Sequence, residues 1–81
     1  MRDWLRQVAD ELGVDPADVL DHEDALLAMV AAVAHGPSRP GAPLSAFLAG
    51  VAVGRGASAS EIAARVTALA QGQGQVRASS R

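Results

Sequence analysis

The chain has 81 residues, a formal net charge of −2 and no cysteine, which excludes disulfides and thiolate-bound metals. A chain of this length forms one domain, near the size at which a single hydrophobic core gives only marginal folding stability. All seven basic residues are arginine and nine acidic residues outnumber them, so we expect no nucleic-acid partner held by phosphate contacts. The longest uncharged apolar runs have ten residues, whereas a membrane span needs about 20, so we expect a cytoplasmic protein without a membrane segment.

The N-terminal quarter of the chain predicts two helices. In the first, Asp3 is the expected N-cap and Gly13 the stop, and one stripe of side chains is apolar. The members of that stripe are Trp4, Leu5, Val8 and Leu12. Asp15-Pro16 predicts the next helix start, because aspartate caps well and proline suits the first helical position. A short helical turn with a buried aliphatic side is therefore expected over residues 17–20.

The second main helix is predicted from an Asp21 cap to His35, with Gly36 as its stop. Residues 25–34 are apolar on every face of this helix. A helix that is apolar all round is normally buried, so we expect protein on every side of it. Leu27 is accordingly predicted in the core.

The third helix, predicted from Pro43 or Leu44 to about Gly54, has two distinct faces. Its expected core face consists of Leu44, Phe47, Leu48 and Val51. Ala46, Gly50 and Gly54 repeat at four-residue spacing and form a seam of small residues that lets another helix approach closely. In water such a seam most often serves core packing, and it is also the candidate interface with a partner. We therefore expect no room for a large side chain at Gly50.

The C-terminal part of the chain predicts one more helix and a tail. Ser58-Ala59-Ser60-Glu61 fits a capping box, which places the fourth main helix from Ala59 to about Gln71. Residues 72–81 lack periodicity and are predicted to be disordered. The expected fold is all-α: a compact bundle of four main helices plus one short helical turn, with a single domain at residues 1–71 and a disordered C-terminal tail at residues 72–81.

The proline-rich loop between the second and third main helices carries the densest chemical functionality in the chain. In the simplest interpretation it is a rigid connector. In a second hypothesis it is an anion pocket for a phosphate-bearing small molecule, with Arg39 as a bidentate fork beside the N–H groups of the third helix. Ser38 and Ser45 would donate hydrogen bonds in that pocket, and His35 would add positive charge when protonated. A surface for a protein partner is the third hypothesis.

The sequence offers little support for metal binding or catalysis. His22 and His35 stand near opposite ends of one predicted helix, about 20 Å apart by its rise per residue. No nucleophilic residue has a general base at a spacing typical of a catalytic site, and no glycine-rich phosphate loop is present. We therefore predict no metal site, no catalytic residues and no cofactor, and a protein that is not an enzyme.

One block of residues is too specific to follow from composition. It runs from His35-Gly36 through Arg39-Pro40 to Pro43-Leu44-Ser45-Ala46-Phe47-Leu48, and Asp3-Trp4-Leu5 precedes it near the N-terminus. With these residues the chain resembles, over about residues 2–71, a family of small uncharacterised helical domains of actinobacteria. Such domains occur alone or fused behind molybdenum cofactor guanylyltransferases. The resemblance implies a context in molybdenum-cofactor maturation and supplies no catalytic residues, and the chain lacks the transferase's nucleotide loop.

These observations lead to one main functional expectation and two alternatives. The main expectation is a non-enzymatic accessory or interaction domain in molybdenum-cofactor maturation, whose partner is a protein of cofactor assembly or a second copy of the chain. The first alternative is a small-molecule binding domain with the anion pocket at residues 35–45. A small enzyme of unknown reaction is the weaker alternative.

Overall fold

The computed structural model describes the backbone of residues 1–79 and the side chains of residues 1–72. The backbone forms five helices and, within those residues, no strand: α1 (Arg2–Leu12), α2 (Ala17–Leu20), α3 (Glu23–His35), α4 (Gly41–Gly54) and α5 (Ala59–Ser79). The all-α bundle of four main helices and one short helical turn is confirmed. The bounds of α5 extend beyond the predicted end near Gln71, and the predicted disordered tail falls almost wholly outside the residues whose side chains are described.

Local hydrogen bonds explain the helix ends that the sequence predicts correctly. Gly13 ends α1 with φ of 67°, a left-handed conformation that costs glycine little. The Asp15 carboxylate accepts a hydrogen bond from the Ala17 N–H at 2.9 Å, where α2 begins. The Ser58 hydroxyl accepts one from the Glu61 N–H at 3.4 Å, at the start of α5.

Three predicted helix starts are wrong by one to three residues. Asp3 lies in the first turn of α1, and Met1 takes the N-cap position without a side-chain hydrogen bond. The N-cap of α3 is His22 rather than Asp21. Helix α4 begins at Gly41, ahead of Pro43, because the loop already turns into helical backbone at Pro40.

The core is small and consists mainly of alanine. Helix α3 packs against α4 and α5, which also pack against each other. The buried side chains are Ala9, Met29, Val33, Ala42, Ala49, Ala63 and Ala70. Met29 contacts Ala49 and Ala63 in one cluster, and Val33 contacts Ala42 and Ala70 in the other. Alanine at these positions allows the three helix backbones to come close together.

The expected core faces of the central helices are wrong. Leu27 is 49% exposed, and Leu44, Phe47 and Leu48 on α4 are 68%, 72% and 69% exposed. Since α4 has no charged residue and apolar residues on every side, its sequence pattern does not distinguish the inward face from the outward one. The small face is the inward one because the close approach of three helices leaves no room for leucine or phenylalanine. One side of α3 and one side of α4 therefore face solvent.

The N-terminal helices are peripheral to this three-helix core. Helix α1 has few close backbone contacts with the other helices, and only α2 among the N-terminal elements packs appreciably on α3. The aliphatic side of α2 is less buried than expected, with Val19 exposed and Leu20 half-buried. The N-terminal part of the chain thus forms one side of the molecule without adding much to its core.

Candidate functional site

An apolar groove of about 600 Å³ lies between α2, α3, α4 and the start of α5. Val14 and Val19 form its α2 side, Leu26 and Met29 form its floor on α3, and Ile62 closes it on α5. Its volume falls in the range of small-molecule sites in proteins, which are typically concave and mostly apolar. The groove is larger and more apolar than the cleft beside Glu23 at the start of α3 and the depression along α1.

The predicted seam forms the α4 wall of this groove. Ala46, Gly50 and Gly54 all line it. A Cβ atom at Gly50 or Gly54 would meet no described heavy atom within 4 Å, so neither glycine is packed against another helix within the described residues. The expectation that the seam serves core packing and leaves no room at Gly50 is therefore wrong for these two positions. The α4 backbone is open to a further helix along this wall.

The charges near the groove are unevenly distributed. Residues 1–24 hold eight of the nine acidic side chains and two of the seven arginines. Within the groove lining, Asp18 is the ionisable residue, and it stands on the α2 side. An occupant with a positive charge at that edge would be attracted, and one with a negative charge would be repelled.

The four residues of the anion-pocket hypothesis do not contribute to the groove. His35, Ser38 and Arg39 are exposed and Ser45 is half-buried. The Ser38 hydroxyl accepts a hydrogen bond from the Gly41 N–H at 3.1 Å, so this hydroxyl caps α4.

The helix N–H groups available to an anion are correspondingly few. The Ala42 N–H donates to the Arg39 carbonyl at 3.2 Å, and Pro43 has no N–H. Two donors of the first turn are thus engaged and a third is missing. The anion pocket stays a prediction, and the loop geometry adds no evidence for it.

The acidic segment at the start of α3 is tied to α1 by one ion pair. Arg2 Nε lies 3.3 Å from Glu23 Oε1, and that oxygen is buried without a hydrogen-bond partner, so the contact is a charge pair with poor hydrogen-bond geometry. Asp21, His22 and Asp24 line the shallow cleft around it. Within the described residues, no three acidic or histidine side chains converge on a point where a metal ion could sit.

Sequence reasoning identified one wall of the groove and missed the others. The seam on α4 carries a visible signal, because small residues recur every fourth position. The α2 side and the Met29 floor carry none, since isolated aliphatic residues in separate elements are indistinguishable from ordinary core residues.

Comparison with known proteins identifies one family and no characterised relative. A family described as Domain of unknown function (DUF6457) matches residues 1–78. No curated protein and no solved structure matches the chain. In the part of the chain that the structure describes, no helix has the length and apolar character needed to cross a membrane.

Proposed function

Because the chain belongs to the DUF6457 family, whose description assigns no activity, we propose a function from the groove itself. The domain is a non-enzymatic accessory module that holds one helix of a protein partner against α4. The observation that carries this proposal is the open glycine wall at Gly50 and Gly54, where a further helix can approach the α4 backbone closely.

The dimensions of the groove support a helical occupant. The seam extends from Ala46 to Gly54, which is about 12 Å by the helical rise, or roughly two turns of a partner helix. Helices that bind in apolar grooves place anchors at positions i, i+3 or i+4, and i+7, a spacing that fits this length. Leu26, Met29 and Ile62 supply the apolar floor and far wall for those anchors.

Charge defines the orientation of the occupant. The acidic α2 edge, marked by Asp18, favours a lysine or arginine at the matching end of the partner helix. The partner is thus an amphipathic helix with small or aliphatic residues along its contact stripe and a basic residue at one end.

The biological setting proposed for this interaction is molybdenum-cofactor maturation. Support for it comes from the resemblance carried by the segment from His35 to Leu48. The first partner to test is therefore the molybdenum cofactor guanylyltransferase of the same genome.

The test is a titration of the isotope-labelled domain with that guanylyltransferase, followed by NMR. We expect chemical-shift changes along the groove, at Ala46, Gly50 and Gly54. Gly50→Leu places a side chain in the groove, its Cβ meets no heavy atom within 4 Å in the free domain, and it is expected to weaken binding at least tenfold. Gly72→Leu is the matched control, because this helical glycine also has open space for a Cβ but lies outside the groove. It should bind like the wild type.

Two results would contradict the proposal. One is equal binding by the wild type and the Gly50→Leu variant. The other is a set of shift changes confined to the proline-rich loop, residues 36–40, which would favour the loop as the partner surface. Absence of any binding would remove the guanylyltransferase as the partner.

A further inference from the structure

The outward face of α4 is a bare apolar stripe. It consists of Leu44, Phe47, Leu48 and Val51, all exposed. The buried residues of the same helix, Ala42 and Ala49, lie on the opposite side. No charged residue occurs between Arg39 and Arg55, and the one polar side chain of α4, Ser45, is half-buried and outside the stripe. Contiguous exposed apolar surface of this kind marks an interaction site in soluble proteins.

Helix α1 carries a second bare stripe. Trp4 and Leu12 are 63% and 68% exposed, although both belong to the apolar side of an amphipathic helix. A shallow depression runs along this side, and every residue that lines it belongs to α1 itself: Trp4, Gln7, Val8, Glu11 and Leu12. No other described element of the same chain covers it.

From these two stripes we infer that the chain forms a symmetric dimer in which α1 of each copy covers α4 of the other. The stripes match in length, since Trp4 to Leu12 and Leu44 to Val51 each span about 10–12 Å of helix. An exchange of this kind is reciprocal, so both copies bury both stripes and the assembly closes with two-fold symmetry.

Charge favours α1 as the cover for α4. Arg39 and Arg55 bracket the α4 stripe, whereas Glu11 lines the depression along the α1 stripe beside Leu12. Pairing α1 with α4 therefore allows the Glu11 carboxylate of one copy to approach one of the two arginines of the other. Pairing two α4 helices would instead bring arginines of the two copies together, which is unfavourable in either orientation.

The surface available is close to that of a stable interface. Most of the large side chains in the two stripes expose roughly 100–150 Å² each, so one copy exposes about 700 Å² of stripe surface. A standard protein interface buries about 800 Å² on each partner. Burial of the stripes would add to the stability of the fold, because a single core of this size gives only marginal folding stability. The α4 stripe of this dimer includes neither Gly50 nor Gly54, which line the groove.

Sedimentation velocity over a concentration series from micromolar to millimolar tests the dimer. We expect the wild type to dimerise, and Leu48→Glu on α4 and Leu12→Glu on α1 each to weaken dimerisation at least tenfold. Leu69→Glu is the matched control, because Leu69 is 65% exposed on α5 and outside both stripes. It should dimerise like the wild type. All three substituted residues are exposed, and Leu→Ser at the same positions replaces any glutamate variant whose circular dichroism shows loss of the fold.

Mixing the two weakened variants tests whether α1 of one copy covers α4 of the other. In the reciprocal dimer, the Leu48→Glu chain keeps an intact α1 and the Leu12→Glu chain keeps an intact α4. Their mixed dimer therefore regains one undamaged contact and should outcompete either homodimer in native mass spectrometry. A wild type that stays monomeric, an unaffected Leu12→Glu variant, equal loss with Leu69→Glu, or no preference for the mixed dimer would each overturn the inference.

Discussion

At the scale of single residues, Gly36 and Gly50 differ in the space around them. A Cβ atom at Gly36 would lie 2.7 Å from the carbonyl oxygen of Ala32 and 3.3 Å from that of Ala70. Both neighbours are backbone atoms, so neither can move without displacing a helix. At Gly50 the same atom would enter open space. The first glycine is needed for close approach of α3 and α5, and the second leaves the groove open.

Gly36→Ala and Gly50→Ala should therefore change stability in opposite directions. We expect Gly36→Ala to lower the free energy of unfolding by about 1–3 kcal/mol, as overpacking does. Gly50→Ala should raise it by up to about 1 kcal/mol, because alanine is the better helix former. Urea unfolding at a concentration that keeps the chain monomeric measures both values. Equal effects of the two substitutions would show that Gly36 is less crowded than the structure indicates.

At the scale of one element, α4 combines three separate roles along a single helix. Its inward face, with Ala42 and Ala49, packs in the core. A second side, with Gly50 and Gly54, lines the groove. The outward stripe is free for a second copy. The Ser38 hydroxyl caps the helix, since it accepts the Gly41 N–H.

Ser38→Ala should weaken the start of α4. Loss of the hydroxyl leaves the Gly41 N–H to water, and comparable cap removals cost about 0.5–2 kcal/mol. Because the site is exposed, we expect the lower half of that range. Ser60→Ala is the control, since the Ser60 hydroxyl lies 3.2 Å from the Ser58 hydroxyl and bonds no backbone group. Thermal unfolding followed by circular dichroism compares the two, and an equal loss for both variants would argue against the cap.

At the scale of the whole molecule, a core of one methionine, one valine and five alanines holds the bundle together. Met29 is the largest side chain in it and is 1% exposed. It also forms the floor of the groove. About half of the larger hydrophobic residues are exposed, which explains why apolar surfaces are prominent in this domain.

Met29→Ala should be the most damaging of the substitutions considered. We expect it to cost about 2–5 kcal/mol, the range for truncation of a large buried aliphatic side chain. Leu69→Ala, at an exposed position, should change stability by less than about 0.5 kcal/mol. Chemical unfolding of the two variants gives the comparison. If Leu69→Ala costs as much as Met29→Ala, the core lies elsewhere.

The sequence by itself determined the helical class, the number of helices and several of their ends. The stops and caps at Gly13, Asp15 and Ser58 depend on hydrogen bonds between residues at most five positions apart, so local sequence suffices to predict them. It also identified the seam on α4, because a four-residue repeat is visible without any neighbour.

Only the tertiary structure decided which helix faces are buried and that the small-residue seam on α4 lines a groove. Helix α4 is apolar on all sides, and the distance between packed backbones, not hydrophobicity, selects Ala49 for the core and leaves Leu48 outside. The groove unites Val14, Gly50 and Ile62, which come from separate parts of the chain. Such a cleft depends on how helices cross, and no local pattern encodes that crossing.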